Sequence, residues 1–200
     1  KELSMAAPAK INFKLYQGST FNEVLRWESS TKVYKPITSI TQAAPVVVTA
    51  TAHGVPTGWR IKITNAGGMK EINSSETYHI ATKLTDNTLE LNAINSLGYT
   101  AYTSGGVIEY NAPVNLTGYT ARMQLRNKIE DTTAIAEYTT VNGKLVIDTA
   151  NSTITILVPA TDTALYTFST AVYSLELVSA TGVVTPFANG TITLIKEVTR

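Results

Sequence analysis

Cysteine is absent from the 200 residues, which excludes disulfide staples, thiolate zinc sites and cysteine nucleophiles together and suits either redox compartment. Histidine is nearly absent: His53 and His79 are the two in the chain, too few for a histidine-rich metal site or a choice of imidazole bases. A dominant charge is missing as well. Sixteen Lys+Arg against fifteen Asp+Glu leave a net +1, so no chain-wide field gathers phosphate backbones or anionic lipid, and nucleic acid is not an expected partner. Long apolar runs are also lacking. The longest, Ala43 to Val48, contains Pro45 and falls far short of the roughly 20 residues of a membrane span. No basic, apolar, small-residue succession reads as a secretory signal, so neither membrane crossing nor export is expected.

What the chain has in quantity is threonine, 32 of 200 residues, with many Val, Ile and Tyr. These β-branched and aromatic side chains favour pleated, half-buried strands over helices, and the fold class expected is all-β. Alternation supports it. Ile11, Phe13 and Leu15 share one face of a first strand, and after the turn signal Gln17-Gly18-Ser19 the pattern resumes from Thr20 to Trp27, predicting a hairpin. Tyr119 to Arg126 places Ala121, Met123 and Leu125 on one side and Arg122, Gln124 and Arg126 on the other. Lys144–Asp148 and Ser152–Val158, joined by Thr149-Ala150-Asn151, predict a second hairpin. Pro159–Tyr166 is the best helical candidate, with Thr161 or Asp162 as cap. Ala171–Val178 and Gly190–Val198 are the expected final strands, with Ala180-Thr181-Gly182 as a turn.

Between these parts, five short strands are expected around Val46–Val48, Arg60–Ile63, Thr77–Ala81, Thr88–Leu91 and Gly106–Glu109, each bounded by Gly, Pro, Asn or Asp. Lys35-Pro36 and Ala112-Pro113 mark its borders. The expected organisation is a discontinuous β-sandwich of residues 1–35 and 113–200, whose residues 1–10 form an arm, carrying an inserted small β-barrel at 36–112.

Two sets of residues resemble known families. Thr51-Ala52-His53-Gly54-Val55-Pro56-Thr57-Gly58-Trp59-Arg60-Ile61-Lys62-Ile63, then Gly67-Gly68-Met69-Lys70-Glu71-Ile72-Asn73, Tyr78, Asp86-Asn87-Thr88-Leu89 and Tyr99–Gly106 look like the small β-barrel that is the first catalytic-cysteine half-domain of ubiquitin-activating enzymes. Similar modules are common in tailed-bacteriophage structural proteins. No ubiquitin chemistry comes with the likeness, because a thioester cascade needs a cysteine thiolate. Ile11–Phe21, Pro113–Arg126 and Gly190–Arg200 resemble the β-sandwich of phage tail and baseplate proteins, similar to the N-terminal domain of baseplate upper proteins in lactococcal phages. About 75 residues between Trp27 and Leu116 depart from that pattern. The resemblance implies a virion structural protein of the tail, baseplate or neck, with capsid decoration as the alternative. Its implied partners are other virion proteins and copies of itself, with a host glycan as an alternative ligand of the inserted barrel.

Chemistry-bearing residues are few and unpatterned. His53 and His79 lack a partner set and read as structural. Asp148, Asp162, Glu176 and Glu137 have no motif linking two of them as the acid pair of a glycoside hydrolase, and no Gly-x-Ser-x-Gly elbow occurs. Gly67-Gly68 and Gly105-Gly106 read as turns, since neither is followed by the lysine and helix of a phosphate loop. Arg122, Arg126 and Lys128 form a local basic strand edge, read as a solvated face. Tyr99, Tyr102 and Tyr110 cluster late in the insert and read first as half-buried strand residues, second as a sugar-stacking surface. The expectation is therefore a non-enzymatic protein with no cofactor, no metal and no assigned catalytic or binding residue.

Overall fold

The computed structural model describes residues 7–74 and 76–198. Among them the chain is all-β, with three sheets and almost no helix. The strands are β1 (Ala9–Lys10), β2 (Phe13–Tyr16), β3 (Phe21–Arg26), β4 (Glu28–Pro36), β5 (Ser39–Ile40), β6 (Val46–Thr49), β7 (Trp59–Gly67) and β8 (His79–Lys83). They continue with β9 (Thr88–Leu91), β10 (Ser104–Pro113), β11 (Thr120–Arg126), β12 (Ala136–Thr139), β13 (Leu145–Asp148), β14 (Thr153–Val158), β15 (Thr170–Val178) and β16 (Val184–Ile195). One helical turn, α1 (Ala160–Thr163), and a 3-10 turn at Lys70–Ile72 complete them. No helix among the described residues is long and apolar enough to cross a membrane.

The chain divides into two compact units, one comprising Lys1–Arg26, Leu116–Thr149 and Thr153–Arg200, the other Trp27–Asn115 with Ala150–Ser152. The second unit thus begins at Trp27, before the Lys35-Pro36 border expected from the sequence. The reason is β4. Its polar Glu28-Ser29-Ser30-Thr31 start reads as a loop, yet the strand pairs with β10 from Pro36↔Val107 to Lys32↔Asn111, and again at Glu28↔Pro113 after an irregularity.

In the first unit a six-stranded sheet runs β1-β16-β15-β11-β12 with β2 also on β16, and a three-stranded sheet runs β13-β14-β3. The expected opening hairpin does not form: β2 pairs in parallel with β16, whereas β3 pairs with β14 in the other sheet. Burial explains this. Phe13, Leu15 and Phe21 all enter the core, and the Phe13 and Phe21 rings meet edge-on at 5.6 Å, so the turn at Gly18 (φ 76°) carries the chain from one sheet to the next. The β13–β14 hairpin forms as expected.

Neither Thr161 nor Asp162 caps α1. Pro159 occupies the cap position in an extended conformation, Asp162 pairs instead with Lys144 at 2.5 Å, and buried Thr163 donates to the Ser19 carbonyl at 2.8 Å. The expected arm falls on residues 1–6, outside the described residues, and on Ala9–Lys10, which pair in parallel with Ala188 and Asn189. The last strand begins at Val184 rather than Gly190 and ends at Ile195, while Thr199 and Arg200 lie outside the described residues.

The second unit is one antiparallel sheet of seven strands, β4-β10-β7-β8-β9-β6-β5, curled into a half-barrel. All five strands read from the sequence are in it, with β4 and β5 added. Alternation builds its core: Val46 and Val48, Trp59, Ile61 and Ile63, and Leu89 and Leu91 all point inward. At Asn65 the backbone turns left-handed (φ 59°), and beyond it the buried face passes to Ala66. Trp59 is fully buried and places its indole N–H on the Asn111 carbonyl at 2.8 Å, so its one polar group is satisfied.

Candidate functional site

Strand β11 alternates strictly, burying Ala121, Met123 and Leu125 and turning Arg122, Gln124 and Arg126 outward. Register then decides which side chains join them. Gln124 lies opposite Glu137 of β12 and Ser174 of β15, and Ser174 lies opposite Asn189 of β16. Directly opposite residues of adjacent antiparallel strands share a face, so Glu137, Gln124, Ser174 and Asn189 form one row across four strands. Flanking it on one side are Arg122 and Glu176, also opposite each other, and on the other Arg126, Val172 and Thr191. These residues, with Ile129 from the β11–β12 loop, line a groove of 710 Å3.

Of the groove's charged groups, Arg122 and Glu176 hold each other, and Arg126 and Glu137 are held by neutral groups. Arg122 donates to Glu176 at 2.8 Å. Gln124 donates its amide N–H to Glu137 at 3.1 Å and accepts from Arg126 at 2.7 Å, and Arg126 also donates to the Asp131 carbonyl. Two arginines and two glutamates line the groove, a formal charge of zero. The Ser174 hydroxyl and the Asn189 amide, both exposed, stand beside this network with no side-chain partner among the described residues.

Several of the residues singled out in the sequence meet here: Arg122, Arg126, Glu137 and Glu176 all line the groove. The reading of Arg122 and Arg126 as a strand edge needs correction. Strand β11 is an interior strand between β12 and β15, so its arginines stand on a sheet face. Lys128 is not among the lining residues; its backbone N–H is taken by Asp131 Oδ2 at 3.0 Å. Asp162 sits elsewhere with Lys144, beneath a buried pair of phenols, Tyr138 and Tyr166, whose oxygens are 2.7 Å apart. Burial pushes both phenols up from their ordinary value, Tyr138 most. Ser174, Asn189 and Thr191 were not legible as site residues, because only long-range register brings them beside β11.

The two histidines are separate. His53 is fully buried; its Nδ1 accepts the Val55 N–H at 3.0 Å and its Nε2 lies 3.0 Å from the Thr85 carbonyl and 3.3 Å from that of Thr88. Nδ1 therefore carries no proton and Nε2 does, which makes the ring a fixed clasp between loops. His79 is half-buried, its Nε2 has no partner among the described residues, and burial lowers its pKa from the ordinary histidine value against a raising hydrogen bond with the Ile72 backbone. No group of three or more His, Asp or Glu among the described residues is placed to hold a metal.

Tyr99, Tyr102 and Tyr110 are partly or fully buried, in line with their first reading, although of the three only Tyr110 lies on a strand. Tyr110 is buried with its hydroxyl on the His53 carbonyl at 2.5 Å. Tyr102 bonds the Ile37 and Gly105 carbonyls, and Tyr99 packs on the core. An exposed aromatic of the half-barrel lies elsewhere, at Tyr78, whose ring faces Lys62 at 4.7 Å, Arg60 at 5.1 Å and Lys32 at 5.9 Å. Glu28 and Glu109 counter two of these cations, and their hydrogen bonds raise the pKa of Arg60 and Lys32 respectively. The reading of Gly67-Gly68 and Gly105-Gly106 as turns is corrected by pairing: Gly67 ends β7 and Gly105 and Gly106 lie within β10, where the two strands pair, and only Gly68 lies beyond a strand. A Cβ on Gly68 would stand 2.1 Å from the Ala101 carbonyl oxygen.

No known protein family matches the chain, and no curated protein is significantly similar to it.

Proposed function

We propose that the chain is a structural component of a tailed-phage virion, of the tail, baseplate or neck, which works by protein–protein assembly and not by catalysis. In this reading the six- and three-stranded sheets make a discontinuous β-sandwich, and the half-barrel is an inserted barrel-like module. Its partners are other virion proteins and copies of itself, with neither nucleic acid nor membrane involved. Capsid decoration is the alternative within the same class.

The observation that carries the reading is an apolar row on the outward face of the three-stranded sheet. Val24, Thr155 and Val146 lie opposite one another across its strands. Val24 is 58% exposed and Val146 44%, and Leu157, two positions along β14, is 38% exposed. Apolar side chains clustered on a regular surface mark a contact for another protein more often than open solvent does. A second support is that Asp162 and Glu176 are held in ion pairs with Lys144 and Arg122, and that His53 clasps two loops.

The test is a paired substitution, Val24→Lys with Val146→Lys. The account expects a chain that melts at the wild-type temperature and is excluded from assembled particles. Incorporation at wild-type copy number would remove this face from the assembly contact.

A further inference from the structure

We propose that the groove on the six-stranded sheet binds a neutral oligosaccharide. This inference does not rest on the virion reading, because it follows from the groove's own chemistry. Three features select the ligand. The first is charge. With Arg122 bonded to Glu176 and Arg126 to Gln124 and Asp131, a groove lined by two cations and two anions offers no excess of either sign. Arg122 and Glu176 are closed to a charged ligand unless their charge-assisted hydrogen bond is given up, and Arg126 and Glu137, each on neutral partners, add one charge of either sign, so the groove as a whole favours neither an anion nor a cation.

The second feature is the kind of donor and acceptor on offer. The row Glu137–Gln124–Ser174–Asn189 presents a carboxylate, two primary amides and a hydroxyl across about 14 Å, three inter-strand steps of ~4.8 Å. The Gln124 amide is engaged with Glu137 and Arg126, whereas the exposed Asn189 amide offers two adjacent hydrogen-bonding atoms beside the Ser174 hydroxyl, which match the neighbouring hydroxyls of a sugar ring. Val172 and Ile129 supply apolar surface for its C–H face, and apolar walls with a few placed polar groups are what small-ligand sites share.

The third feature is what a sheet face withholds. The backbone N–H and C=O groups of β11 and β15 lie in the plane of the sheet and pair with strands on both sides. A polypeptide laid on this face would find no main-chain partner of the kind that drives strand addition at an edge. A ligand recognised by side chains alone is favoured.

The experiment is NMR titration of the full chain with neutral tri- and tetrasaccharides of glucose, galactose and N-acetylglucosamine, beside sialylated and sulfated oligosaccharides and a Ser/Asn-rich peptide. The expected result is a neutral oligosaccharide that perturbs Gln124, Ser174 and Asn189. Ser174→Ala and Asn189→Ala should each weaken its binding by about two- to ten-fold, the value of one neutral hydrogen bond, with melting temperature unchanged. Shifts confined to the half-barrel, a preference for charged sugars, binding by the peptide alone, or no binding at millimolar concentration would each overturn the assignment.

Discussion

Single side chains carry consequences that the backbone does not. Tyr138 and Tyr166 share one hydrogen bond inside the first unit, and both are buried. Tyr138→Phe leaves the Tyr166 hydroxyl without its partner, at a cost of about 1 to 3 kcal/mol. The double change to phenylalanine removes both polar groups together and should cost less than the sum of the two single changes, which denaturant unfolding of the three variants measures. His79 gives a pH dependence whose sign follows from its burial. Its folded pKa lies below the ordinary 6.5, so as pH falls through that value the unfolded chain takes up a proton that the folded chain refuses. Stability contributed by neutral His79 is therefore complete above pH 6.5 and declines below it. His79→Leu should flatten the change in melting temperature between pH 7 and pH 5, and an unaltered slope would place the titration elsewhere.

Elements are where the sequence was read best, and where its limits are physical. At Gly68 the chain is left-handed (φ 75°) and pressed against the 101–103 backbone. Gly68→Ala should destabilise the half-barrel by more than the ~1 to 2 kcal/mol of a left-handed L-residue alone, a change thermal unfolding reads directly. Strands with strict alternation, such as β2, β11 and β14, were legible because period two writes their buried face into the sequence. Strand β4 was not, because its Ser-Ser-Thr start has the composition of a loop and only pairing with β10 makes it a strand. Strand β12, four residues with an exposed Glu137, gave no period at all. The β2–β3 connection escapes the sequence for another reason: alternation shows which side chains are buried, not which sheet they are buried under. The groove shares that limit. Its arginines were visible on β11, whereas Ser174 and Asn189 are some 50 and 65 residues further along the chain.

At the scale of the whole molecule, two β units each close their own core, the first around Phe13, Leu15 and Met123 and the second around Trp59 and Ile61. The surface left over differs in character from sheet to sheet: an apolar row at Val24 and Val146, a neutral polar groove beside Arg122, a cation-ringed aromatic at Tyr78. That division suits a part with several neighbours, and the role proposed for it is assembly into a tailed virion. Electron cryo-microscopy of the intact particle tests this most directly. The account predicts density for this chain in symmetric copies about the tail axis, with the Val24–Val146 face against a neighbouring protein; absence of the chain from the particle would contradict it.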